Sequence, residues 1–375
     1  ESVETSARPG EPGGPWREPE VGMFASAWGP SHRNYRRIRD MYDAVIPLIN
    51  ETGGMVGLND SHGEGGQPDG SFNLAAYAYG DAKYRRIANG RSLLYPVDVS
   101  GVKERDEDKL LPSAKADNAG IAMLRSQGVD SPHEQYQAVL KYGSHGLHHG
   151  HWDRTQMVYL RRFGKLATHT RTAWASYGGM LYQMYVQTSM AQSMVVVDGK
   201  NQYPAPSHPL LWHTGDMFQA VAVENKTRWS YPRFGGHVGY TEEDKERGYV
   251  ENDGQKLKIP EDPPPPGEMT EFTEPICTRR LMAVTDDYVL VVDNVRGEKK
   301  HTFDALFQFR GFRHFNDGAE IDLVKEREQF DDDVRSAGQF VHDARFYDSE
   351  GLVRATFVSG YKPDDIYPQP EVKEG

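Results

Sequence analysis

Four of the chain's 14 histidines fall within seven residues of "KYGSHGLHHGHWDR", the stretch from Lys141 to Arg154. Imidazole titrates near neutral pH and ligates metals through either ring nitrogen, so such a cluster can move protons, neutralise an acidic substrate or hold a metal. His149 and His151 are two apart, so in an extended segment both project to one face and His148 to the other. That spacing aims two imidazoles at one metal, or one at a metal and one at a substrate. His169, in "GKLATHTRT", follows at the end of the next short strand and can return to the same rim. No H-E-x-x-H motif is present, and no glutamate stands beside the cluster as a general base.

The elements around the cluster follow from periodicity. "YQAVLKYG" and "TQMVYLRRF" read as strands, which places His145 to Asp153 in or near their connection. "AGIAMLRS", "SMVVVDGK", "MFQAVAVEN", "TRRLMAVTD", "YVLVVDNVRG", "HTFDALFQF", "GQFVHDARFY" and "LVRATFVSGY" continue the pattern. Many short runs with turn signals and no intervening helices predict an antiparallel sandwich. "LMAVTDDYVLVVD" predicts a hairpin turning at Asp286–Asp287, "DGKNQ" (Asp198 to Gln202) a turn, and His301 a structural histidine of the sandwich. "IPEDPPPPGE" reads as an extended loop inserted between strands.

Upstream the period is helical. "SHRNYRRIRDMYDAVIPLIN" carries apolar residues at helical spacing, with Ser31 as N-cap and Pro47 kinking or ending the helix. "SFNLAAYAYGDAKYRRIA", capped by Ser71, predicts a second. Two amphipathic helices build no core alone, so they read as the tail of a larger helical domain. "ESVETSARPGEPGGPWREPE", rich in Pro, Gly and Glu, reads as a flexible lead-in.

Composition narrows the class. The chain has 375 residues, a formal charge of −12 and 37% hydrophobic residues, enough for two domains and a large core. The negative charge argues against a nucleic-acid partner, while a locally basic cleft for an acidic polymer remains open, since paired arginines recur at Arg36–Arg37, Arg85–Arg86, Arg161–Arg162 and Arg279–Arg280. No apolar run is long enough to span a membrane. Cys277 is the only cysteine, so no internal disulfide forms, and at the start of a strand it reads as inert filler. Asn50 and Asn225 lie in glycosylation sequons. Glu1 is not methionine and no signal-peptide pattern follows, so the stretch is expected to derive from a longer precursor.

The succession "GIAMLRS…AVLKYGSHGLHHGHWDRTQMVYLRRFGKLATH…SMAQSMVVVDGKNQ…RRLMAVTDDYVLVVDNVRGEKKHTFDALFQF" resembles the β-domain of the heparinase II/III superfamily of polysaccharide lyases, which also holds alginate lyases and several ulvan lyases. "VGLNDSHGEGGQPDGSFNLAAYAYGDAKYRRI" is similar to the last helices of their (α/α) toroid. The resemblance implies an α+β multidomain fold, the end of a toroid followed by a large antiparallel β-sandwich. Its divisions are a lead-in at 1–24, toroid helices at 25–112 and the sandwich at 113–375.

The resemblance also implies roles. In "HHGHWD", His149 matches a histidine that enters the active cleft, and His151 the first ligand of a buried zinc. His169 stands where the family commonly has an aspartate ligand, and Gln192 where it has a histidine. The set His151, His169 and Gln192 therefore holds either a zinc or a hydrogen-bond network in its place. Such lyases break the O4–C4 bond of a uronate by β-elimination. They need a group facing the carboxylate, a base for the C5 proton and an acid for O4.

His149 is the expected catalytic residue. Tyr182 and Tyr185, in "GGMLYQMYVQTS", either approach the cleft or pack. His148, Arg154 and Arg171 are candidate contacts to substrate carboxylate or sulfate, or solvated rim residues. The implied partner is an acidic polysaccharide of ulvan, alginate or glycosaminoglycan type, with an upstream toroid segment or partner chain, in a secreted or periplasmic setting. Two rivals stay open: a non-catalytic carbohydrate-binding sandwich, and a cupin-like enzyme using His149 and His151 as metal ligands.

Overall fold

The computed structural model describes residues 33–51, 53–60, 64–65, 71–87, 97, 99–102, 110–117, 119–143, 149–168, 181–205, 207–230, 241–252, 255–259, 271–315, 319–321, 337–341, 346–348 and 351–358. The lead-in, the proline-rich loop from residue 260 onward, and His145, His148, His169 and Arg171 lie outside these residues.

The helical pattern before residue 100 is realised in shorter pieces than its period suggests. Helix α1 (Arg33–Asp43) ends before a 3-10 turn, Ile46–Leu48, that contains Pro47. The run from Ser71 is two helices, α2 (Ser71–Tyr79) and α3 (Ala82–Ile87). Gly80 separates them at φ 62°, a left-handed conformation that costs glycine little. The Asp81 carboxylate then accepts the Lys83 amide at 3.1 Å, starting the next turn. Ile49, Phe72, Tyr77 and Tyr84 form a compact core with Tyr42 packed against it.

Two antiparallel sheets follow. The first has five strands in sequence order: β1 (Ala114–Ala116), β2 (Ile121–Arg125), β3 (Gln137–Lys141), β4 (Gln156–Arg162) and β5 (Lys165–Leu166). After β6 (Val195–Val197) come β7 (His208–Thr214), β8 (Gln219–Thr227), β9 (Ile276–Val284) and β10 (Val289–Arg296), the four strands of the second sheet in that order. β11 (Phe303–Ala305) pairs back with β6. Ala122, Leu124, Leu140 and Met157 meet Val221, Val223, Met282 and Val284 between the sheets. The opposite face of the first sheet, with Ile121, Met123, Val139 and Tyr159, packs on Val56, Leu48 and Leu58 of the helical region.

The first sheet is thus covered on both faces, and every residue of β2 and β3 is buried. That is why these strands read as continuous runs instead of alternating ones. β10 alternates between half-buried and exposed along its whole length, because the outer face of the second sheet meets solvent. The expected hairpin closes as read, with Thr285 Oγ1 accepting the Asp287 and Tyr288 amides at 3.2 and 3.1 Å. Asp198 and Gly199, at φ 52° and 66°, make the expected turn after β6.

The expectation of no helices among the strands needs correction. Helix α4 (Glu242–Arg247) interrupts them, started by a reciprocal cap in which Thr241 Oγ1 accepts the Asp244 amide and Asp244 accepts the Thr241 amide. Both sequon asparagines are buried, Asn50 bonded to the Gly54 amide and Asn225 to the Ala205 carbonyl. Neither side chain can carry a glycan in this fold. Among the described residues no helix is long and apolar enough to cross a membrane.

Candidate functional site

The loop between β3 and β4 is fixed at both ends before any histidine is placed. Gly120 and Gly143 are packed backbone to backbone: a Cβ on Gly120 would lie 1.9 Å from Gly143 Cα, and one on Gly143 2.0 Å from the Ala119 oxygen. No larger residue fits at either position. At the far end the Thr155 amide returns to the Lys141 carbonyl at 2.9 Å. The Trp152 amide donates to the Gln187 carbonyl at 3.1 Å, tying the loop to the 182–192 segment.

Asp60 is the hub of the cluster. It follows the short strand Met55–Val56, beside Asn59 at φ 49°, a left-handed conformation asparagine tolerates. Its Oδ2 lies 2.6 Å from His149 Nδ1 and its Oδ1 lies 2.9 Å from His151 Nε2. Tyr182 donates its hydroxyl to Oδ1 at 2.8 Å and accepts Gln187 Nε2 at 2.7 Å. His149 and His151 reach one carboxylate, although His149 has a 3-10 and not an extended backbone, and His148 lies outside the described residues.

Electrostatics fix the protonation pattern. Burial alone would push the Asp60 carboxyl up, but the hydrogen bonds from His151, Tyr182 and His149 outweigh it and hold the group below the usual aspartate range. An ionised carboxylate only accepts, so both imidazoles must donate to it. His149 therefore carries its proton on Nδ1, and its Nε2 presents a lone pair when the ring is neutral. His151 carries its proton on Nε2. Burial lowers the His151 pKa more than the Asp60 hydrogen bond raises it, so this ring is neutral at physiological pH. The side chain of His149 is 67% exposed and that of His151 only 3%. One imidazole faces solvent on an anionic support, and its neighbour is interior.

Behind the cluster the chemistry changes. Lys141 Nζ donates to both Asp153 oxygens at 2.6 and 2.7 Å, and also to Asn59 Oδ1. The lysine side chain is 5% exposed and the aspartate 2%. They border a cavity of about 10 Å³, room for roughly one water, with Asn59, His151, Gln156 and Gln192. Gln192 is engaged at both ends, accepting from Gln156 Nε2 at 2.6 Å and donating to the Val186 carbonyl at 2.9 Å.

The expected zinc set can be tested against this arrangement. His151 turns Nε2 to Asp60, Gln192 is held by protein groups, and Lys141 also lines the cavity they share. Among the described residues no group of three or more His, Cys, Asp or Glu side chains is placed to hold a metal. The two placed donors, His151 Nε2 and the Gln192 amide, are taken by protein groups and do not suit a divalent ion; His169, the third member of the set, lies outside the described residues. His149 Nδ1 and His151 Nε2, from the pair that the cupin-like alternative would use, both face Asp60.

The other candidates separate. Tyr182 joins the cluster. Tyr185 does not: its ring packs near Phe340 at 6.1 Å and its carbonyl accepts Thr188 Oγ1. Arg154 corrects the reading of a rim arginine, for it is fully buried. Its Nε donates to the Gly143 carbonyl at 3.0 Å and Nη1 to the His151 carbonyl, so it shapes the histidine loop from inside. His301 is structural as expected, bridging Asp198 at 2.7 Å and Glu274 at 2.9 Å. Asp60 and Lys141 were missed. Asp60 stands in "VGLNDSHG", but no local spacing links it to residues about ninety positions later. Lys141 ends an apolar run, where a lysine ordinarily reaches solvent.

No protein-family model and no curated protein matches the sequence. Among solved structures the fold is similar to that of a heparinase III, the BT4657 gene product, with a TM-score of 0.50 at 15% identity over 81% of this chain and 39% of that one. A further match is the heparan sulfate lyase HepC from Pedobacter heparinus, with a TM-score of 0.47 at 15% identity over 78% of this chain and 37% of that one. The chain spans about two fifths of the length of these structures. What the chain shares with the heparinase III is architecture: its two packed sheets are consistent with the β-sandwich part of a heparinase-like fold.

Proposed function

We propose that the chain belongs to a polysaccharide lyase that cleaves a uronate-containing glycosaminoglycan by β-elimination, with His149 as the base. One observation carries this reading: an exposed imidazole is held through Nδ1 by a buried, ionised carboxylate, on a heparinase-like sandwich. His149 Nε2 takes the C5 proton. The C5–H electron pair forms the C4=C5 double bond, and the C4–O4 pair leaves with O4, which an acid must protonate. Asp60 stabilises the imidazolium that results, as a carboxylate behind a catalytic histidine does generally. His151 and Tyr182 hold Asp60 and are positioning residues.

The finer parts of the proposal follow from this frame. Helices α1 to α3 are read as the end of a toroid whose remaining helices, on the same precursor or a partner chain, supply the O4 acid and the group facing the carboxylate. The setting is secreted or periplasmic. The substrate is of heparan type, with alginate and ulvan as the alternatives to be compared. One feature favours the rival reading of a non-catalytic carbohydrate-binding sandwich: Lys141, at the end of β3, and Arg154, in the loop, are both buried.

The test uses the complete gene product that carries this chain, incubated with heparan sulfate, heparin, chondroitin sulfate, alginate and ulvan. Near-UV absorbance follows the unsaturated uronate. Product from a glycosaminoglycan, lost by about 10²- to 10⁴-fold in His149→Ala with an unchanged melting temperature, is expected. No product from any of the five polymers would overturn the lyase reading, and undiminished activity in His149→Ala would overturn the choice of base.

A further inference from the structure

We propose that the Lys141 ammonium is the resident cation of the cavity behind the histidine loop, and that this cavity takes no divalent metal. Among the described residues Nζ donates to both Asp153 oxygens and to Asn59 Oδ1. An ammonium has three protons, and these three acceptors can take all of them. Among the described residues the charges balance locally without a metal. Lys141 and Arg154 face Asp153, while Asp60 is taken up by His149, His151 and Tyr182. Arg154 Nη2, buried without a hydrogen-bond partner among the described residues, adds further positive potential beside Asp153. A divalent ion would have to enter next to two cations and displace the Gln156–Gln192 bond.

The lysine also does work that a metal does in other proteins, cross-linking distant segments. Through it the end of β3, the Asn59–Asp60 turn and Asp153 at the end of the loop are held together. Asn59 is thereby fixed beside Asp60, and the loop is closed under His149. The inference stands whichever polymer the protein acts on.

The experiment needs no activity. Wild-type protein is dialysed against zinc and then against metal-free buffer, metal content is measured, and thermal unfolding is followed with zinc or with EDTA. The expected result is well under one equivalent of zinc and a melting temperature that neither addition moves. One equivalent of zinc that disappears in His151→Ala would overturn the proposal. Zinc that His151→Ala retains in full lies elsewhere, as the proposal requires. Lys141→Met is expected to melt well below wild type, and Lys141→Met/Asp153→Asn above the single variant, because the second change removes the stranded carboxylate charge. Wild-type stability in Lys141→Met would also overturn the proposal. If Lys141→Met does not fold, the metal measurements on wild type and His151→Ala still decide.

Discussion

Replacing Asp60 by Asn tests the logic of the cluster most directly. The carboxylate accepts three hydrogen bonds, at 2.6 Å from His149, 2.8 Å from Tyr182 and 2.9 Å from His151. An amide of the same shape has one accepting oxygen and one donating nitrogen. Two of the three donors meet Oδ1, so the amide oxygen takes that side and the nitrogen turns toward His149. His149 Nδ1 must then accept, its proton moves to Nε2, and the outward nitrogen is no longer a base. A general base contributes about 10²- to 10⁴-fold, and the wrong-tautomer variant of a serine protease triad loses about 10⁴-fold. The expected loss in kcat for Asp60→Asn is therefore about 10²- to 10⁴-fold, with KM little changed.

Stability moves less. One charge-assisted hydrogen bond is lost and two are weakened, worth about 2 kcal/mol, which lowers the melting temperature by a few degrees. Two measurements check this: initial rates of unsaturated uronate formation, and the histidine tautomers read from long-range nitrogen–proton NMR spectra. His149 should change from Nδ1–H to Nε2–H. A folded Asp60→Asn protein that stays within about tenfold of wild-type activity would refute the claim that Asp60 sets the His149 tautomer.

Two further outcomes follow from the geometry. Tyr182→Phe removes one hydroxyl between Asp60 and Gln187 and should cost about 1–2 kcal/mol by thermal melt, with less than about tenfold loss of activity; a loss beyond about 10²-fold would make Tyr182 a proton-transfer group instead. His301 is raised above its ordinary value chiefly by the Glu274 hydrogen bond, while His301 in turn holds Glu274 down to about 2. With the folded pKa raised, the histidine's contribution is complete below the unfolded value of about 6.5 and fades as pH rises through the folded one. His301→Gln should therefore lower the melting temperature more at pH 6 than at pH 9, and an equal loss at both would remove the charged bridge.

Local patterns carried much of the fold. Strands β2, β3, β4, β8, β9 and β10 are legible because their residues are apolar or β-branched and end at glycines or acidic turns. The Asp286–Asp287 hairpin is legible because its turn is local. The helix pair failed where one residue mattered: "YAYGDAK" has helical spacing throughout, and only the left-handed Gly80 with its Asp81 cap splits it. Helix α4 went unread although "TEED" carries its cap, because a two-turn helix has too few residues for a period to show.

The sequence by itself led to one shared face for His149 and His151 through their two-residue spacing, although His149 takes a 3-10 and not an extended backbone. It also determined where their loop lies, between two strands whose patterns are clear. Only the tertiary structure decided what that face meets. Asp60 comes from a turn 89 residues before His149, brought there by packing of the helical region on the outer face of the first sheet. The same packing buries Lys141 and Asp153 together, and the loop closes over Arg154. Side chains that would otherwise be solvated became an internal charge network. Burial, set by which faces are covered, decided which cations turned inward and which imidazole remained in reach of a substrate.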